Sequence, residues 1–166
     1  MRLMMGAVIP AGLGLATALP ATRVIALDTD GSLLLNLGAL CTVGALRPRN
    51  LTIIVVDNEC YESIGGTPSH TANGTDLAAI AHGAGIKHAT TTHTLDEFRF
   101  AASSAMNRDE TTFIVAKVAA GAKDLPAMAM DGLEMKYRFI RYIEDTQGVR
   151  VLEGAPQKMP AHMISK

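Results

Sequence analysis

A chain of 166 residues, 48% of them hydrophobic, has the length and apolar content of one domain built on a single well-buried core. Fifteen basic residues against sixteen acidic ones leave a net charge of −1, which argues against a protein whose partner is nucleic acid. The two cysteines, Cys41 and Cys60, have no CxxC spacing and no histidines arranged around them, so neither a zinc site nor a disulfide framework finds support, and a reducing cytoplasm is the expected location.

Met1-Arg2, an apolar run to Leu19 and then Pro20-Ala21 have the outline of a secretory signal. Gly6, Pro10, Gly12 and Gly14 interrupt that run, and a strand with a functional-looking turn follows almost at once. Ile9 to Leu19 is therefore read as a small-residue helix of the domain. A membrane span needs about 20 uninterrupted apolar residues and is not expected. Aromatics are scarce at 4%, while Gly and Ala are abundant, which suits close helix-on-sheet packing better than a base-stacking or sugar-binding surface.

Arg23 to Leu27 is a short apolar run suited to a buried strand, and Asp28 to Ser32 is the turn that ends it. Leu33 to Leu46 is apolar enough for a buried helix, closed by Pro48, and Leu51 to Val56 is the strongest strand in the sequence. A helix between two buried strands implies a right-handed parallel crossover. Asp57 to Asn73 is a polar, glycine-containing loop. Thr75 to Ala84 reads as a helix capped by Thr75 or Asp76 and stopped by Gly85. Lys87 to Thr91 is a third strand, Thr94 or Asp96 opens a helix through Met106, and Thr112 to Val118 is a fourth strand. This alternation predicts an α/β domain, a three-layer sandwich around a mainly parallel sheet covered on both faces. One domain is expected over 1–166, its core ending at 118. From 119 to 166 follow a linker containing Gly121 and Pro126 and a helix over Glu134 to Glu144, on which Tyr137, Ile140 and Tyr142 lie on or beside one packing stripe.

Ligands of open parallel sheets sit beyond the carboxyl ends of the strands, and two of those ends are chemically loaded. The first strand runs into Asp30-Gly31-Ser32: a carboxylate, a glycine that lets backbone N–H groups approach a phosphate, and a hydroxyl at the mouth of the next helix. The second runs into Asp57-Asn58-Glu59-Cys60, with an amide oxygen and loop carbonyls. Mg²⁺ takes hard oxygen ligands, often one or two from side chains and the rest from water and substrate phosphate, and Asp30 with Asn58 meets that requirement. Singly, each piece is ordinary turn chemistry. Together, strand, Asp-Gly-Ser, helix, strand and Asn make one crossover unit.

That unit resembles the pyrophosphate-binding domain of thiamine-diphosphate-dependent enzymes, whose signature is Gly-Asp-Gly followed some two dozen residues later by Asn-Asn. Here it reads Thr29-Asp30-Gly31 and Asp57-Asn58, so the departures fall on the residues that shape the turn and not on those that would hold the metal. By this resemblance Asp30 and Asn58 give side-chain oxygens to Mg²⁺, Cys60 gives its backbone carbonyl, and Gly31 and Ser32 bind the diphosphate. Met5-Gly6 resembles the turn of the oxo-acid decarboxylase branch that puts an apolar wedge, here Met5, beneath the bent cofactor. The run Asp30 to Gly38, the loop Asn58 to Gly66 and the segment Thr75 to Ala78 are similar to the branch that decarboxylates sulfopyruvate and phosphonopyruvate.

The family activates thiamine through a Glu of a separate pyrimidine-binding domain, and this chain has neither room for such a domain nor a Glu in the matching context. The resemblance therefore implies a beta-type subunit that is inactive without a pyrimidine-binding alpha-type partner, homodimerises within a hetero-oligomer and decarboxylates a small anionic 2-oxo acid. Carboligation of the acetolactate-synthase type and a non-catalytic cofactor-binding module are the alternatives. His70, beyond Gly65-Gly66 in the polar loop, is the candidate for proton transfer near the substrate. Glu62 is expected to be solvated, or to contact substrate or partner, and His82, His88 and His93 have no distinguishing context.

Overall fold

The computed structural model describes residues 4–121 and 131–151. The chain divides into two compact units, Leu3–Asp124 and a second made of Met1–Arg2 with Leu125–Lys166, and each is described by itself.

In the larger unit, α1 (Val8–Ala18) leads to β1 (Val24–Thr29), α2 (Asp30–Leu34), α3 (Gly38–Leu46) and β2 (Leu51–Asp57). After a miniature hairpin, β3 (Cys60–Tyr61) with β4 (Thr67–Pro68), come α4 (Leu77–Gly83), β5 (His88–Thr92), α5 (Leu95–Met106) and β6 (Thr112–Lys117). The main sheet has four strands in the order β1-β2-β6-β5, all parallel. Apolar β-branched runs put β2 and β6 at its centre, where Ile53, Val55 and Phe113 are fully buried. One face carries α1, α3 and α4, whose Ile9, Leu13, Leu40, Val43, Leu77 and Ala81 close the core over that face. Helix α5 covers β5 and β6 on the other. Ile25 and Leu27 of β1, on the face opposite Ala26 and Asp28, stay exposed.

Glycine sets how closely the layers approach. A Cβ on Gly12 of α1 would stand 2.8 Å from the Ala26 Cβ of β1, and one on Gly44 of α3 would stand 1.8 Å from the Ala84 carbonyl oxygen that follows α4. Asn50 closes the end of α1, its side-chain amide donating toward the carbonyls of Ala16, Leu19 and Thr22 at 2.7–3.1 Å.

Three local features differ from the expectation. The turn foreseen at Asp28–Ser32 is absent: β1 continues to Thr29, and α2 begins at Asp30 with no intervening loop. The helix foreseen over Leu33–Leu46 breaks at 35–37, where the Asn36 side chain donates to the Gly6 carbonyl at 2.9 Å and ties the Met5-Gly6 turn to α2. The loop Asp57–Asn73 contains the hairpin and two 3₁₀ turns, Glu62–Ile64 and His70–Asn73.

The smaller unit presents α6 (Gly132–Gln147), longer at both ends than foreseen because Asp131 caps it, accepting from the N–H groups of Leu133 and Glu134, and Gly148 ends it. The partly buried side chains of α6 include Met135, Phe139, Ile140 and Ile143, while Tyr137 and Tyr142 are both exposed, so of the expected stripe only Ile140 lies on the covered side. Pro126 lies outside the described residues. No helix among the described residues is long and apolar enough to cross a membrane.

A methyl group at Gly44 meets rigid backbone, so Gly44→Ala should cost about 3 kcal/mol in urea unfolding. Gly38→Ala in the same helix meets nothing within 4 Å and should be neutral or stabilising by up to about 1 kcal/mol.

Candidate functional site

The parallel register sets Thr29 of β1 beside Val56 of β2, so the next residues, Asp30 opening α2 and Asp57 ending β2, stand at neighbouring strand ends. Both are 1% exposed. Two buried carboxylates at neighbouring strand ends need donors between them. The loop supplies these: Ser69 Oγ donates to Asp30 Oδ2 at 2.5 Å, and Thr71 Oγ1 lies 2.8 Å from Asp57 Oδ1 and 3.3 Å from Asp30 Oδ2. Lys117, at the end of β6, donates to Asp57 Oδ2 at 2.9 Å and to Glu59 Oε1 at 2.5 Å.

Glu59 adopts a left-handed backbone, φ 61°, which a side-chain residue holds at a cost of about 1–3 kcal/mol. Three bonds offset it: the Glu59 N–H donates to Asp57 Oδ1 at 3.0 Å, the Glu59 carbonyl accepts from the Ser69 N–H at 2.9 Å, and the Glu59 carboxylate meets Lys117. This kink sets the direction of Asn58 and Cys60. Asn58 Nδ2 donates to Glu62 Oε2 at 3.0 Å, which fixes the amide, and Asn58 Oδ1 accepts from the Cys60 N–H at 3.3 Å. Cys60 pairs across the hairpin with Pro68, which has no N–H to give, so its carbonyl takes no bond from that partner. Burial first, then the charges of Glu62 and Asp30, push the Cys60 thiol up, which keeps it protonated and unsuited to nucleophilic work.

Gly31 and Ser32 fall in the first turn of α2, whose N–H groups have no intrahelical acceptor. A Cβ at Gly31 would lie 2.5 Å from the Tyr61 ring, so the ring occupies the space of the missing side chain. The Ser32 hydroxyl is engaged on the inner side: it accepts from the Gly6 N–H at 3.0 Å and contacts the buried Asp28, whose carboxyl burial pushes up against the pull of bonds from Ser32 and Thr29. Gly6 has φ 78°, the left-handed conformation the turn needs. Met5 beside it is half-exposed.

The structure thus brings Asp30, Gly31, Ser32, Asn58, Cys60, Met5 and Gly6 to one end of the sheet. His70 stands between Ser69 and Thr71, whose side chains face inward, and is itself exposed. Glu62 orients Asn58. Ser69, Thr71, Lys117 and Tyr61 were not foreseen, because each reaches the site through a contact distant in sequence.

The donor set suits Mg²⁺. Asp30 Oδ1 is buried and finds no hydrogen-bond partner, so one hard oxygen is left for another kind of ligand. Asp30, Asp57, Glu59 and Glu62 outnumber Lys117 at this end of the sheet, an excess of negative charge that favours a cation. Among the described residues no three His, Cys, Asp or Glu side chains cluster as a metal cage.

A parallel sheet that gathers a free carboxylate oxygen, an amide and first-turn N–H groups at two adjacent strand ends defines a ligand-binding α/β domain. Residues 3–116 match the family model described as "Thiamine pyrophosphate enzyme, C-terminal TPP binding domain", and the chain belongs to that family. It is 36% identical over 140 residues to the sulfopyruvate decarboxylase subunit beta of Methanocaldococcus jannaschii, covering 84% of this chain and 73% of that one. It is 35% identical over 120 residues to the phosphonopyruvate decarboxylase of Streptomyces viridochromogenes, covering 72% of this chain and 30% of that one. Among solved structures, benzoylformate decarboxylase from Polynucleobacter necessarius shares the fold with a TM-score of 0.60 at 22% identity, over 73% of this chain and 25% of that one.

Burial works to lower the Lys117 pKa, but the hydrogen bonds to Glu59 and Asp57 outweigh it and hold the ammonium above the ordinary lysine value of 10.5. A raised lysine pKa contributes stability that is fully present below the unfolded value and is lost as pH rises through the folded one. Wild-type melting temperature should therefore fall more steeply above pH 10.5 than that of Lys117→Met, measured by calorimetry from pH 7 to 12.

Proposed function

We propose that this chain is the diphosphate- and Mg²⁺-binding, beta-type subunit of a thiamine-diphosphate-dependent decarboxylase acting on a small anionic 2-oxo acid, of the sulfopyruvate or phosphonopyruvate kind. The observation that carries the reading is the buried, unpartnered Asp30 Oδ1 at the end of β1, beside the Asn58 loop. The relatives' names support the substrate class.

In this reading Asp30 Oδ1, Asn58 Oδ1 and the Cys60 carbonyl hold Mg²⁺, and the N–H groups of Gly31 and Ser32 receive the diphosphate. The inward engagement of the Ser32 hydroxyl leaves that task to its backbone. Met5, braced by Gly6, Ser32 and Asn36, supports the cofactor from below. Bound thiamine diphosphate supplies the carbon nucleophile and the electron sink for loss of CO₂. The chain's own residues orient and charge-balance that group. A partner of the alpha type brings the pyrimidine-binding half with its activating Glu, and the subunits assemble as a cytoplasmic hetero-oligomer in which this chain pairs with itself. The beta-subunit names of the relatives support a two-chain enzyme.

The chain alone should show no decarboxylation of sulfopyruvate or phosphonopyruvate and gain it when mixed with its alpha-type partner. Asp30→Ala, folded by circular dichroism, should abolish Mg²⁺-dependent cofactor binding in calorimetry. Turnover by the isolated chain, or unchanged cofactor affinity in Asp30→Ala, would overturn the reading.

The reading also assigns His70 to the substrate's acid group or to a proton, on the grounds that it is exposed and follows Gly65 and Gly66, both at positive φ. His70→Ala should lower kcat of the reconstituted enzyme by about 10² or more while leaving cofactor affinity unchanged. A wild-type rate from pH 5 to 9 would return His70 to the solvent.

A further inference from the structure

We infer that Ser69, Thr71 and Lys117 are positioning residues for the Asp30 carboxylate: in this relay of contacts Lys117 and Asp57 hold the Thr71 hydrogen, which leaves Thr71 an acceptor facing Ser69, and the Ser69 hydroxyl clamps Oδ2 and presents Oδ1 to the cation. This inference rests on Asp30 as a metal ligand, which is the reading above.

A carboxylate is free to present either oxygen until one is taken. Ser69 donates to Oδ2 at 2.5 Å, Thr71 Oγ1 stands 3.3 Å from the same oxygen with its hydrogen turned to Asp57, and neither meets Oδ1. The two hydroxyl residues are 0% and 5% exposed, so they are interior donors and not solvated loop side chains.

The polarity follows from counting hydrogens. Ser69 and Thr71 own one hydroxyl hydrogen each, yet three short approaches compete for them: Ser69 to Asp30 at 2.5 Å, Ser69 to Thr71 at 2.8 Å and Thr71 to Asp57 at 2.8 Å. Lys117 occupies Asp57 Oδ2 and leaves Oδ1 facing Thr71. With the Thr71 hydrogen on Asp57, the Ser69 hydrogen goes to Asp30, and each carboxylate has its own donor. The reverse order, Thr71 to Ser69 to Asp30, strips Asp57 Oδ1 of its hydroxyl and leaves it the Glu59 N–H alone.

The relay also joins the two proposed ligands. Ser69 holds Asp30 with its side chain and the Glu59 carbonyl with its N–H, and Glu59 lies between Asn58 and Cys60. A cation that draws on Asp30, Asn58 and Cys60 at once therefore also fixes the loop from 58 to 74. Partners of metal ligands at this remove typically change metal affinity by about 10- to 100-fold when removed.

The test is Mn²⁺ titration of the full chain reconstituted with its alpha-type partner and thiamine diphosphate, followed by electron paramagnetic resonance, together with amide hydrogen exchange of residues 58–74. Thr71→Val and Ser69→Ala should weaken Mn²⁺ binding by about 10- to 100-fold and remove the slowing of exchange that Mn²⁺ and cofactor produce in the wild type, whereas Thr71→Ser should keep both. Lys117→Met should weaken binding in the same direction. If Thr71→Val does not fold by circular dichroism, Ser69→Ala and Thr71→Ser decide. Wild-type affinity and exchange in Thr71→Val and Ser69→Ala, with binding lost in Asp30→Asn, would overturn the relay and leave Asp30 as a ligand. No saturable Mn²⁺ binding in the wild type, or none lost in Asp30→Asn, would overturn the ligand reading and the relay with it.

Discussion

Two carboxylates, Asp30 and Asp57, are forced side by side into the interior by the parallel pairing of β1 with β2, and the rest of this end of the molecule answers to that proximity. Taking charges out of water costs several kcal/mol per ion unless donors and counter-charge replace the lost solvation. Asp57 receives both, from Thr71, the Glu59 N–H and Lys117. Asp30 receives a donor, Ser69, on one oxygen only. This asymmetry separates a carboxylate with both oxygens partnered from one with an oxygen left free, although the two residue types are identical and equally buried.

The loop from Asn58 to Gly74 follows from the same demand. Ser69 and Thr71 must reach inward from a segment that has left the sheet, which turns the chain back on itself as a hairpin of two residues per strand. The left-handed backbone at Glu59 is the cost of that return, and the bonds Glu59 makes to Asp57, Ser69 and Lys117 hold it there. Lys117 is available because β6 sits next to β2 in the sheet, placing its last residue opposite Asp57. Strand order thus decides which side chain supplies the counter-charge.

Much of this fold is legible in the amino-acid sequence, because β-branched runs and helix caps are local. Asp76 and Thr94 both cap helices as read, accepting from the N–H groups of Ala79 and Glu97. The break at 35–37 is not legible in the same way: Leu33 to Leu46 is apolar apart from Asn36 and Thr42, and what marks the break is the hold of Asn36 on Gly6, thirty residues away. The site divides along the same line. Asp30 and Asn58 stand out because one crossover motif fixes both. Ser69 lies 39 residues from Asp30, Thr71 14 from Asp57 and Lys117 60 from Asp57, and nothing in a stretch such as Pro-Ser-His-Thr-Ala-Asn tells which hydroxyls turn inward. His70 attracts notice as the titratable residue of that stretch, while the neighbours on either side of it do the holding.

Gly31 is glycine for a reason other than backbone freedom: the ring of Tyr61, thirty positions on, fills the place of its side chain. The two positions share one fixed volume, and neither can be altered in isolation. A larger residue at 31 expels the ring, and a smaller one at 61 opens a hole beneath the hairpin that carries Cys60. Across descendants of this chain the pair should drift only together, bulk passing from one position to the other, so that covariation at 31 and 61 would record a packing constraint and not a catalytic one.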